Sequence, residues 1–463
     1  MRDCLKYFLE PKSIAIVGAS KTGDNPGYLI LRNLKEFGFY GRIYPINPEG
    51  GEILGLKTYR SIKELSGSVD LVVSMVPANK TLQVLAECAA KGIKAVLLVQ
   101  AGFSEAHLEG KKLENEVVQR ACSMGIRVIG PNAVGFVNTS NNLVLHSYPI
   151  NFLKRGEVAF IAQTSQFCCH VMEFMFSSLH YGVSKSIDLG NKCDIDDADI
   201  LEYLEDDPDT KVIAIHMETI KDSRRFIDAC RKVSKKKPII VFKTGRTEDG
   251  RKTAMSHTGA VRMDDVMLTK ALKQARIIRA MDMDEFLDLA KVLRSPTIPK
   301  GNRVGVITFS GGIGSMVADA CGQYGLKLAS FSNRTIERIK PTLSSSARVV
   351  NPIDCWAAAS PLDVSEFYRV AVDALMSDDD TDMIIVSFVL NDNFWYPDFH
   401  HIFKDQKFPF EKPMVGWGIG GDKAVRKGTA ILEDMGVQVF ASPERAVRAI
   451  HVLSMFHNQT ENL

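Results

Sequence analysis

No run of this sequence approaches the roughly 20 consecutive apolar residues that span a bilayer. Met1 to Glu10 lacks the basic start, apolar core and small-residue cleavage site of a secretory leader, so a cytoplasmic location is expected. Strong charge of either sign is also missing. The 57 basic and 55 acidic residues leave a formal charge of +2, which argues against a nucleic-acid-binding field or an acidic tail and leaves small anions as ligands. The nine cysteines include no CxxC pair, and only Cys168 and Cys169 are neighbours. A zinc or dithiol centre is therefore not indicated, and reduced, buried thiols are expected. What is present is 463 residues, 45% hydrophobic and 24% charged, too long for one core and suited to about three α/β units.

Short apolar runs alternate with helical patterns. Strands are expected at Ser13–Val17, Arg42–Ile46, Asp70–Val76, Lys94–Val99 and Arg127–Ile129, with helices near 28–37, 79–91 and 113–124 between them. That repeated unit predicts a parallel sheet. A polar stretch rich in Asn and Ser at 138–151 then interrupts the pattern. It resumes with strands at 157–162, 211–216 and 238–243, and again, after the Pro-containing connector Ser295–Asn302, at 303–309, 383–390 and 414–418. Domains are accordingly placed at 1–150, 151–295 and 296–463.

The first strand runs into Gly18, Ala19 and Ser20, ahead of a helix start whose N–H groups and dipole favour a phosphate. The GxGxxG fingerprint is absent from this turn, and Asn47 rather than an acid closes the second strand. Both count against a nicotinamide oxidoreductase. Asn47, Pro48, Val76, Pro77, Gly102, Phe103, Pro131 and Asn132 follow the other strands, at the carboxyl edge where an open parallel sheet takes its ligand. No metal site is expected.

The segment KTGRTEDGRKTAMSHTGA, 243–260, reads as a loop that exposes His257 beside small residues. A neutral imidazole is nucleophilic near pH 7 and can accept and pass on a phosphoryl group. Glu218, just past the apolar run 212–216, is the candidate carboxylate to orient that ring, with an ordinary surface glutamate as the equal alternative. Lys243, Arg246 and Arg251 offer positive charge, and His216, inside the apolar run, reads as a core histidine.

The stretches SIAIVGAS, YGRIYPINP, AGFSE, GPNAVG, DLGNKCDIDDADILEYLEDDPDT, KPIIVFKTGRT, SHTGA, FSGGIG and VNPID resemble the NDP-forming (ADP-forming) acyl-CoA synthetases, relatives of the succinyl-CoA ligase alpha subunit, from about residue 8 to 450. The resemblance implies a Rossmann-like CoA-binding domain followed by two flavodoxin-like ligase domains. It implies His257 as the phosphorylated histidine, Glu218 as its supporting carboxylate, and Gly18, Ser20, Asn47, Pro48, Val76, Pro77, Gly102, Phe103, Pro131 and Asn132 as CoA-side contacts, with Ala19 in the same turn. It also implies a separate ATP-grasp beta subunit in a hetero-oligomer, carrying ATP or ADP and Mg²⁺, with a small carboxylic acid and its acyl-CoA as substrates. One departure stands out. Where relatives carry a Ser-Gln-Ser-Gly-type turn, this chain reads Ala162, Gln163, Thr164, Ser165, Gln166, which keeps hydroxyl donors and loses the glycine. Phosphate is expected at Gln163, Thr164 and Ser165 and at the helix start Gly311 and Gly312, where a tight strand-to-helix packing turn is the equal alternative. The competing reading is a non-catalytic CoA-binding regulatory paralogue.

Overall fold

Ile, Val and Leu dominate the strands Ser13–Val17, Leu71–Ser74 and Ala95–Leu98, which are buried almost throughout. Such runs suit a parallel sheet covered on both faces. The computed structural model describes residues 2–258, 264–344, 347–356, 364–391 and 397–460, with side chains described outside 2–3, 255–258 and 457–460. The chain divides into two units, Met1–Phe286 and Leu287–Leu463.

The first unit holds two sheets. One runs Arg42–Ile46, Ser13–Val17, Leu71–Ser74, Ala95–Leu98, Arg127–Ile129, all parallel. The other runs Ile278–Ala280, Ile239–Lys243, Val212–Met217, Arg155–Ala162, Val183–Asp188 in parallel, then adds the hairpin Gly135–Asn138 and Leu143–His146 antiparallel at its edge. The second unit orders Lys327–Leu328, Arg303–Thr308, Met383–Leu390, Met414–Gly420 and Gln438–Phe440, with Ile353–Asp354 pairing beside Arg303–Thr308. Counted in chain order, the parallel strands of each sheet follow the flavodoxin-like order 2-1-3-4-5, if the short Ile353–Asp354 is set aside. Each sheet therefore reverses direction between its first and third strands, which opens a crevice there.

The two sheets of the first unit share one core. Ile14, Ile16, Leu71 and Val73 of the first sheet lie in the same buried cluster as Ile161, Ile187, Ile213 and Ile215 of the second. Each such side chain contributes about 1.5–3 kcal/mol on burial, so the carboxyl edges of the two sheets are held in fixed relation.

Two expectations change, and one strand appears where none was expected. The polar stretch at 138–151 contains the buried strand Leu143–His146, and its hairpin joins the second sheet upstream of residue 150. Val183–Asp188 is a strand although VSKSID carries no apolar run. It buries Lys185 by pairing its ammonium with Asp207 at 2.7 Å. The 248–258 part of the expected His257 loop is a helix, Glu248–Thr258. Thr247 caps it, accepting from Gly250 N–H at 3.1 Å through its hydroxyl and from Arg251 N–H at 2.9 Å through its carbonyl. Glu248 and Asp249 then suit the positive end of the dipole.

Candidate active site

At the crevice of the first sheet, Gly18 takes φ +92°. The N–H groups of Gly18 and Ala19 both donate to the Ile46 carbonyl at 3.1 Å. Asn47 closes the arrangement, its Nδ2 donating to the Ala19 carbonyl at 2.7 Å while its Oδ1 accepts from Glu49 N–H at 2.9 Å. The Asn47 side chain thus shapes the turn. Beyond Ser20, Asn25 caps the helix Pro26–Glu36 by accepting from Gly27 N–H at 2.9 Å. A Cβ on Gly27 would stand 2.6 Å from the Gly18 carbonyl, so the turn lies directly on the first helical turn and only glycine admits it. The N–H groups of Gly18, Ala19 and Gly27 are thereby committed, so what this edge offers a phosphate-bearing ligand is the close approach of a glycine turn to the positive end of a helix.

Pro48 and Pro77 are exposed and Val76 is half-buried on the same edge. The Phe103 ring is fully buried, which leaves its main chain for contact. The N–H groups of Gly102 and Phe103 donate to Glu105 Oε1 at 2.6 and 3.0 Å. Asn132 adopts φ +58° beside Pro131 and donates its N–H to the Gln100 carbonyl at 3.0 Å.

The second-sheet crevice lies between Arg155–Ala162 and Val212–Met217, and Gln163 bridges it. Its Oε1 accepts from the N–H groups of Glu218 at 3.0 Å and Thr219 at 2.9 Å, and its Nε2 donates to the Thr219 hydroxyl at 2.7 Å. Gln163 therefore orients the strand end that carries Glu218, and its side-chain amide is committed to that task. Thr164 and Ser165 follow, leading into the π-helical turn Phe167–Val171. Glu218 is half-buried at the edge. Lys243 ends the neighbouring strand, donates to the Thr244 carbonyl at 2.5 Å, and has its pKa lowered by burial, against the pull of Asp265 and Glu218. His216 is a core histidine. Burial, then the charges of Lys192 and Lys243, push its pKa down to about 3, so it stays neutral. Arg251 donates to the Arg246 carbonyl at 2.9 Å, and Arg246 lies 3.7 Å from the Met281 sulfur. His257 is in the last turn of Glu248–Thr258, with its side chain outside the described residues.

Two residues of the site escaped sequence reasoning: Asp188 and Lys192, within the DLGNK stretch that ends Val183–Asp188. Asp188 accepts from Val134 N–H at 2.8 Å and Gly190 N–H at 3.0 Å. Burial raises its pKa to about 6, with Glu218 adding to the rise and Lys192 opposing it. The fully buried Lys192 pairs with Asp197 at 2.6 Å and donates to the Thr219 carbonyl at 3.3 Å. Their signal was a charged residue closing a strand, disguised by the polar alternation before it.

In the second unit, Gly311 and Gly312 open the helix Gly311–Gln323 after Ser310, whose N–H is held by the Thr308 hydroxyl at 3.2 Å. A Cβ on Gly311 would approach the Asp354 carboxylate to 3.2 Å. Among the described residues, no three His, Cys, Asp or Glu side chains could hold a metal ion, and no helix is long and apolar enough to cross a membrane.

Two family models match: a CoA binding domain over residues 12–139 and a succinyl-CoA ligase like flavodoxin domain over 155–293. The chain is 38% identical over 453 residues to the alpha subunit of the ADP-forming acetate–CoA ligase II of Pyrococcus furiosus, covering 97% of each chain. It is also 38% identical to the ADP-forming acetate–CoA ligase II of Archaeoglobus fulgidus, over 97% of this chain and 66% of that protein, so it spans just under two thirds of that relative's length. The dinucleotide forming acetyl-coenzyme A synthetase 1 of Ca. Korarchaeum cryptofilum, solved with phosphate and ADP, superposes with a TM-score of 0.90 at 33% identity, over 100% of this chain and 98% of that one.

Proposed function

As the chain belongs to the family of ADP-forming acyl-CoA synthetases, to which the acetate–CoA ligases belong, we propose that it is the alpha-type subunit of an acid–thiol ligase that interconverts acyl-CoA, phosphate and ADP with a carboxylic acid, CoA and ATP. The observation that carries this reading is the Gln163 bridge, which fixes Glu218 beside the Thr164–Ser165 turn at the reversal point of the second sheet. In the proposed sequence, phosphate displaces CoA from acyl-CoA to give an acyl phosphate. The phosphoryl group passes to a nitrogen of His257 with release of the acid, and then to ADP with formation of ATP.

The Thr164 hydroxyl and the main-chain N–H groups of Thr164 and Ser165 hold the phosphate, and Glu218 stabilises the imidazolium that forms when the ring is phosphorylated. In the first sheet, Gly18, Ala19, Ser20, Asn47, Pro48, Val76, Pro77, Gly102, Phe103, Pro131 and Asn132 form the CoA side, which supplies the thiol. In the second unit, the Gly311–Gly312 helix start is a further phosphate-binding end. The nucleotide and its Mg²⁺ belong to an ATP-grasp partner subunit, and the assembly is a cytoplasmic hetero-oligomer.

The test is incubation with an ATP-grasp partner, Mg²⁺ and γ-labelled ATP. An acid-labile phosphate should appear on this chain and vanish in His257→Ala. Label that persists in that variant removes His257 from the mechanism. CoA binding with no label and no acyl-CoA from any acid would favour the regulatory paralogue instead.

A further inference from the structure

The turn that ends Val183–Asp188 belongs to the second sheet, yet its bonds reach the loops of the first. Asp188 takes the Val134 N–H, Asn191 N–H donates to the Pro131 carbonyl at 2.9 Å, and Cys193 N–H donates to the Gly130 carbonyl at 2.9 Å. The Asn191 side chain reaches further. Its Nδ2 lies 2.5 Å from Glu105 Oε2, 2.9 Å from Glu114 Oε2 and 3.2 Å from Ser104 Oγ. Ionised carboxylates only accept, so the nitrogen must face them, which fixes the orientation of the amide.

The other oxygen of the Glu105 carboxylate holds the N–H groups of Gly102 and Phe103. Burial alone would raise the pKa of Glu105. The hydrogen bonds from Asn191 and from the backbone of Phe103 and Gly102 outweigh it and leave the carboxyl below its ordinary value. A continuous path therefore runs from Asn191 through Glu105 to the Gly102–Phe103 main chain. Asn191 Oδ1, by contrast, is buried with no partner among the described residues. A buried orphan acceptor costs about 1–3 kcal/mol, so the side chain holds Glu105 at some expense to stability, which points to a role in function.

We propose that Asn191 is a positioning residue for CoA: acting through Glu105, it sets the shape of the Gly102–Phe103 loop to which CoA binds. The proposal rests on the reading of that loop as part of the CoA site. It makes the geometry of a first-sheet loop depend on a residue of the second sheet.

Calorimetric titration of the full chain with CoA tests it. Wild type should bind. Asn191→Ala should weaken CoA binding by at least about tenfold, as expected for losing a hydrogen bond to a charged group. Asn191→Asp, nearly isosteric, sets a third carboxylate against Glu105 and Glu114 and should weaken binding at least as much. Adding Glu105→Gln to Asn191→Asp reverses donor and acceptor across the same contact, because the glutamine oxygen still accepts the two loop N–H groups while its nitrogen donates to the new carboxylate. Affinity should then recover at least in part, which a merely structural role would not produce. Labelling of His257 from the partner's ATP, a step without CoA, should stay within about twofold in all three variants. Unchanged or tighter CoA binding in Asn191→Ala, or no recovery in the double variant, overturns the proposal. Wild type that fails to bind CoA sinks the CoA-site reading itself.

Discussion

The imidazole of His216 lies flat against the ring of Phe167, with centroids 4.2 Å apart and planes 10° from parallel. Phe167 also packs near Phe160, Phe242 and Phe286, so the residue that opens the π-helical turn is rooted in an aromatic cluster beneath the Thr164–Ser165 turn. The Thr164–Ser165 turn is thus anchored by a buried ring two residues on. Phe167→Ala should cost about 3–5 kcal/mol, seen as a lower denaturant midpoint at constant m-value. Phe167→Leu, which keeps most of the volume, should cost far less. Equal losses in the two variants would mean that the cluster is not close-packed.

Ser165 puts a side chain on the turn proposed to hold the phosphate. Ser165→Gly should open main-chain N–H approach to the anion and lower KM for phosphate by about two- to tenfold, leaving KM for CoA unchanged. Initial-rate kinetics against each substrate in turn, with the partner subunit present, decide this. A higher KM for phosphate would mean that the serine hydroxyl is itself a phosphate ligand.

Three fully or almost fully buried groups make large contributions to the acid limb of stability. Burial holds the pKa of His216 down to about 3 and that of His146 down to about 4, against 6.5 when unfolded. Between pH 6.5 and those values the unfolded chain binds the extra protons, so stability present above pH 6.5 is lost as the pH falls. Asp188 has the opposite sign. Its folded pKa of about 6 exceeds the unfolded 3.8, so the native state binds more protons between them and acidification favours folding. Two histidines outweigh one aspartate, and stability should fall on the order of 2–3 kcal/mol from pH 7 to pH 5. Denaturation in urea across that range measures it. His216→Gln should make the slope shallower, and an unaltered slope would locate the proton uptake elsewhere.

Gln163 separates positioning from binding. Gln163→Ala leaves the Glu218 and Thr219 N–H groups without their acceptor and should cost about 2–4 kcal/mol of stability. It should lower the rate of His257 phosphorylation more than tenfold, because the carboxylate loses its bearing, while calorimetric affinity for CoA stays put. Parallel losses in both readouts would show that the Gln163 bridge also shapes the first-sheet crevice, through the Thr219–Lys192 contact and the turn beside it.

The sequence made the sheets legible because parallel strands buried on both faces are apolar runs, as at Leu71–Ser74 and Val212–Met217. It concealed Val183–Asp188, where Ser184 and Lys185 are buried by partners distant in sequence: Thr210 2.7 Å from the Ser184 hydroxyl and Asp207 on Lys185. Periodicity cannot register a lysine made apolar by its ion pair. The same blindness hid Asp188, Asn191 and Lys192, whose roles come from contacts up to 87 residues away in the chain. Glu218 was legible as a strand-end carboxylate, but the glutamine that orients it was visible only as a member of the phosphate turn.

Two glycines should respond in opposite ways to the same substitution. Gly322 lies inside the helix Gly311–Gln323 with nothing within 4 Å of an added Cβ, so Gly322→Ala should stabilise the protein by about 0.5–1 kcal/mol through the unfolded chain's entropy. At Gly27 the added carbon would meet the Gly18 carbonyl at 2.6 Å, backbone against side chain with no rotamer to relieve it. Gly27→Ala must push the Gly18–Ser20 turn off the helix start, breaking the geometry in which Ile46 and Asn47 hold it. CoA affinity should drop by at least about tenfold, while His257 phosphorylation by the partner subunit persists. Retained CoA affinity in Gly27→Ala, with the protein still folded, would mean that this turn can shift freely and that the CoA phosphates are held elsewhere on the sheet edge.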